Sequence, residues 1–124
     1  MEKKPTNKPT YPSETSVVPV AAATAQGVDM DQLEMSRECD RLLLERDNLF
    51  DEIYVLQLWG KDPPTELVAR LFAKQTALKE AVQRYLALFP EDAYIWEKVD
   101  QDTADSIQRR QQYIEQARQY RERH

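Results

Sequence analysis

Histidine is almost absent from this chain, and its one copy is His124. A Ser-His-Asp or Cys-His arrangement needs an imidazole held within hydrogen-bond reach of its nucleophile. A side chain at the fraying end of a helix is not held in that way. The usual histidine-containing zinc sites fall with it, and the single cysteine, Cys39, makes neither a thiolate metal site nor an internal disulfide. Glu-x-x-His, which the di-metal helical bundles use, does not occur. With only two glycines there is no glycine-rich loop to cradle a phosphate. Nor does any apolar run approach the roughly 20 residues a membrane-spanning helix needs. No catalytic, cofactor-binding or metal-binding residue is assigned, and a non-enzymatic role is expected.

What remains favours helix. Charged residues make up 31% of the chain, and Leu, Ala, Glu, Gln, Arg and Lys are abundant. The net charge of −5 is unevenly spread. Residues 29–59 carry −6 and residues 109–124 carry +3, the latter from five arginines against Glu115 and Glu122. Overall acidity argues against general nucleic-acid binding while leaving a local basic end.

Three segments follow. Residues 1–28 contain Pro5, Pro9, Pro12 and Pro19 among Thr, Ser and Lys. Proline fixes φ and removes a donor, so this stretch is expected to be a disordered or extended arm. Its anchors on a partner would be Tyr11, Val17, Val18 and Val20. A faint signal-peptide outline (Lys3 and Lys4, then Val17 to Ala23) is too short in its apolar part and is interrupted by Pro12 to Ser16.

Residues 29–108 read as a helical core. Asp29 is the expected N-cap of a first helix, with Gln32 in capping-box position. Met35, Cys39, Leu42, Leu49, Ile53 and Leu56 alternate by three and four, and Arg46 stands where one more apolar residue belongs. Leu43, Phe50 and Tyr54 widen the stripe beyond a two-stranded coiled-coil seam. Arg46 is expected to be an interfacial ion-pair or snorkelling residue, and Cys39 a buried thiol. Trp59-Gly60 ends the helix, with glycine in the left-handed cap. Asp62 is expected to cap a second helix whose first turn holds Pro63 and Pro64. The second apolar face is Leu67, Leu71, Leu78, Val82, Tyr85 and Phe89, with support from Val68, Phe72 and Leu86; Gln75 interrupts it. So short a linker demands an antiparallel hairpin.

Pro90 breaks the chain after Phe89. A third helix then opens with Tyr94, Ile95, Trp96 and Val99, and its face thins to Thr103, Ile107, Ile114 and Ala117. Its first half is expected to pack across the end of the hairpin, with the remainder solvated or awaiting a partner. Residues 109–124 are its basic end, where Arg109, Arg110, Tyr113, Arg118, Tyr120, Arg121 and Arg123 are the candidate partner-binding residues. The acidic clusters Asp47, Asp51 and Glu52, and Asp100, Asp102 and Asp105, are read as solvated faces.

The fold expected is therefore all-α: an antiparallel helical hairpin plus a third helix, behind an extended arm. The function expected is an assembly or adaptor subunit that binds protein partners through the arm and the Arg/Tyr-rich helix, with homo-oligomers possible. The alternatives are a small nucleic-acid binder using the basic end and an inhibitor or decoy acting through acidic faces. A cytoplasmic or virion-associated protein is expected. The outline of arm, helical middle and basic end is similar to that of scaffolding and connector proteins of virus particles, an architectural likeness that no residue pattern carries.

Overall fold

The computed structural model describes residues 29–124. Its elements are α1 (Met30–Leu58), α2 (Thr65–Leu88), a single 3-10 turn (Pro90–Asp92) and α3 (Ala93–Arg123). The described chain is all-α, a helical hairpin joined by a third helix. Two compact units divide it, one ending at Glu34 and the other running from Met35 to His124. Of the first, residues 29–34 are described. There Asp29 caps α1 as expected, its Oδ1 accepting the Asp31 amide at 2.8 Å. The anchors Tyr11, Val17, Val18 and Val20 lie outside the described residues.

Met35–His124 is built on two apolar clusters set along the hairpin. One joins Cys39 and Leu42 of α1 to Leu78, Ala81 and Tyr85 of α2 and to Trp96 of α3. The other, nearer the Gly60 turn, joins Leu49 and Ile53 to Leu67 and Leu71 and contains no α3 residue. The two interruptions read in the sequence, Arg46 and Gln75, line one groove beside the first cluster. The misfit residues of both stripes thus occur at the same level, and the core divides there.

The hairpin turn is a Schellman cap. Gly60 N–H donates to the Gln57 carbonyl at 3.0 Å and Lys61 N–H to the Leu56 carbonyl at 2.9 Å. Gly60 sits at φ 74°, the left-handed conformation the sequence predicts for it. The start of α2 differs from expectation. Asp62 does not cap it; Pro64, extended at ψ 144°, occupies the N-cap position and makes no side-chain cap bond. A proline forces its predecessor out of the helical region, so two in succession keep the chain extended until the second has passed. The Pro64 carbonyl then receives Leu67 and Val68 N–H and starts the helix.

At the far end α2 stops at Leu88, before Pro90. The buried Tyr85 hydroxyl donates to the Asp92 carboxylate, tying the last turn of α2 to the entry of α3. From this corner 31 residues at about 1.5 Å each carry α3 roughly 46 Å, longer than the hairpin's second arm at about 36 Å. The remainder of α3 is therefore not solvated as expected. Its inward residues Val99, Thr103, Ile107, Arg110, Ile114 and Ala117 are half-buried. Arg121 reaches the hairpin turn, where its Nη1 donates to the Leu58 carbonyl at 2.6 Å. The sequence underrated this contact because the face is thin in apolar residues; polar ties supplement them.

Two substitutions test this packing by urea unfolding. Leu78→Ala should lower stability by about 2–5 kcal/mol, as expected for a buried leucine. Gly60→Ala should cost about 1–2 kcal/mol for the left-handed backbone alone. Its new methyl group would also lie 2.9 Å from the Arg121 guanidinium, which would have to shift.

Candidate interaction surface

The face between α1 and α3 is polar at its centre. Arg46 is only 7% exposed. Its Nη2 donates to Asp47 Oδ1 at 2.8 Å and to the Thr103 hydroxyl of α3 at 2.9 Å, and its guanidinium lies 5.4 Å from the Phe50 ring centre. One charge thus bridges two helices and stacks on an aromatic face. Further along the seam, Arg110 of α3 pairs with Asp51 of α1 at 2.5 Å and lies over the Tyr54 ring. A groove of about 400 Å³ runs along this seam, lined in part by Leu43, Phe50, Ile107 and Asp102. A second, of about 410 Å³, lies on the α2 side of α3 and includes Gln75, Val82 and Val99.

Across the hairpin, Lys74 Nζ donates to Glu45 Oε1 at 2.8 Å, and Arg41 donates to the other carboxylate oxygen. The Lys74 and Arg41 bonds hold the Glu45 carboxyl below the usual range. Burial pushes the Cys39 thiol up, with Asp40 and Glu38 adding to it, so the protonated and unreactive form prevails.

Arg109, Arg110, Tyr113, Arg118, Tyr120, Arg121 and Arg123 separate into three sets. Arg110 and Arg121 turn inward to α1. Arg118 is held on its own helix between Glu115 and Glu122. Arg109, Tyr113, Tyr120 and Arg123 remain exposed. Tyr113 is 51% and Tyr120 63% exposed, and the latter stacks on His124. Spacings of four and seven put Arg109, Tyr113 and Tyr120 on one flank of the helix.

Sequence reasoning missed other exposed apolar groups. Trp59, read only as a helix end, is 73% exposed. Phe72, assigned to the supporting core of α2, is exposed instead. It follows Leu71 by one residue, about 100° around the helix, so strict periodicity already sets it off the stripe. Leu44 and Val55 are exposed on α1 for the same reason.

Among the described residues no group of three or more His, Cys, Asp or Glu side chains is placed to hold a metal ion. Asp47, Asp51 and Asp102 face the groove, but each is paired with a cation: Arg46, Arg110 and Lys98 respectively. Among the described residues no helix is long and apolar enough to cross a membrane.

Two outcomes check this electrostatic picture. Arg46→Met should match or exceed the parent in thermal stability, since an apolar residue of similar length completes the stripe, whereas Arg46→Ala should lower it by leaving a cavity. For pH, a carboxyl lowered in the folded state stabilises above its unfolded pKa, and that contribution disappears as pH falls through the folded value. Stability should therefore decline below the ordinary glutamate pKa of 4.5. Glu45→Gln should flatten part of that decline in acid unfolding curves. No protein family, curated protein or solved structure matches the chain.

Proposed function

We propose that this chain is a non-enzymatic assembly or adaptor subunit that docks protein partners on the outer flank of α3, with the N-terminal arm as a second contact. The observation that carries this reading is the strip Arg109, Tyr113 and Tyr120, exposed on a helix whose other face is already engaged with α1. Tyrosine and arginine are enriched among the residues that dominate protein interfaces, because they offer large contact area together with directed hydrogen bonds. Exposed Trp59 adds a further aromatic group. A cytoplasmic or virion-associated setting suits such a role.

The charge arrangement favours this reading over its two rivals. Two of the five arginines in the basic end, Arg110 and Arg118, already hold carboxylates, and Arg121 is engaged with a backbone carbonyl, which reduces the charge and the donors open to a phosphate backbone. An inhibitor acting through its acidic faces is less favoured at the α1 cluster, where Asp47 and Asp51 are already paired with Arg46 and Arg110.

The test is affinity capture with the full chain as bait beside Arg109→Ser/Tyr113→Ser/Tyr120→Ser. The variant should retain its helical circular dichroism and unfolding midpoint, and lose at least about tenfold in partner recovery, given about 1–2 kcal/mol for each interface tyrosine. The recovered partner should be protein and should survive nuclease. An identical partner set from both baits would sink the reading. Capture that nuclease abolishes, and that weakens steeply with salt, would transfer it to nucleic acid.

A further inference from the structure

α3 is attached unevenly. Its one buried residue, Trp96, lies near its start, whereas α1 and α2 bury five residues each. The corner at that start is tied by Tyr85 and Asp92 and packed by Phe89 and Val99. Beyond Val99 its apolar contribution is limited to the half-buried Ile107, Ile114 and Ala117, and the specific ties to the hairpin are polar: Arg46 to Thr103, Arg110 to Asp51 and over Tyr54, and Arg121 to the Leu58 carbonyl. A groove runs along the α1 side of the helix from Val99 to Arg110, so that edge is not close-packed. The apolar cluster nearest the Gly60 turn draws on α1 and α2 alone, so it does not require α3.

The helix also carries its own internal supports. Lys98 pairs with Asp102, Gln101 with Asp105, and Arg118 with both Glu115 and Glu122. These lie three or four residues apart and persist whether or not α1 is beside them. Loss of the outer contacts would thus release a helix and not melt one.

We infer that α3 is a latch: it pivots as a rigid helix on the Trp96 corner, and its distal half releases from α1 when the Arg110 and Arg121 ties are broken. The 3-10 turn at Pro90–Asp92 is the hinge. Opening uncovers Leu43, Phe50 and Tyr54 of α1 while the hairpin keeps its own core. Salt favours the open state by screening the exposed Arg110–Asp51 pair. This inference does not depend on the docking role proposed above.

Dipolar EPR on paired spin labels tests it. A distal pair at Val55→Cys and Gln116→Cys reports latch opening, and a hairpin pair at Asn48→Cys and Ala69→Cys reports the body. Both are made in a Cys39→Ala background and repeated with native Cys39, which is buried and resists labelling. The distal pair should show a second, longer distance. Its population should grow by roughly two- to five-fold for each tie removed in Arg110→Ala and Arg121→Ala. It should also grow in the unaltered latch at about 1 M salt, where the screening length is about 3 Å. The hairpin pair should stay at one distance throughout. A distal pair fixed at one distance under all these conditions overturns the latch. So does a hairpin pair that broadens in step with it, because that outcome is general unfolding.

Discussion

A guanidinium buried at mid-height between helices is the constraint around which this fold is arranged. Arg46 cannot leave its charge unpaired in an apolar layer, and an apolar layer is what the stripes above and below it would otherwise build. The solution is local on one side, through Asp47 and Phe50, and distant on the other, through Thr103. That distant bond fixes which residue of α3 sits opposite Arg46. Gln75 at the same level keeps α2 from closing an apolar seal there. The core accordingly divides into an end shared by all three helices and an end belonging to two.

Much of this was legible in the residues. Period and breaks set the three helices, Gly60 marked the left-handed turn, and Phe89-Pro90 marked the second bend. Arg46 and Gln75 were both noticed as interruptions, but a one-dimensional stripe does not show that two interruptions will lie side by side. The entry to α2 was misread because Asp62 has the chemistry of a cap while the consecutive prolines after it withhold helical geometry until Thr65. The distal half of α3 was misread because hydrophobic pattern registers burial, whereas Arg110 and Arg121 attach by charge and hydrogen bonding. Arginines that serve a fold and arginines that serve a partner are alike in sequence. Only their positions around the helix separate Arg110 and Arg121 from Arg109 and Arg123.

The same sorting bears on function. A surface helix must spend its polar residues on its own neighbours before any are free for another molecule. In α3 carboxylates hold Arg110 and Arg118, and a backbone carbonyl holds Arg121, leaving a flank on which Tyr113 and Tyr120 accompany Arg109. Such a flank suits the surface of another protein, where area and shape dominate, better than a uniformly charged polymer.

The bond from Arg121 to the Leu58 carbonyl makes the length of α3 a measured quantity. The Schellman turn satisfies the Leu56 and Gln57 carbonyls within the hairpin and leaves that of Leu58 to be met from outside. The guanidinium arrives there only because 25 positions separate it from Trp96, close to seven whole helical turns. Loss or gain of one residue in that interval would swing Arg121 by about 100° around the axis and leave the carbonyl bare. The interval can therefore vary in residue identity along its outer side, but its count is fixed by a hydrogen bond at its far end, as the teeth of a gear are fixed by the wheel they meet.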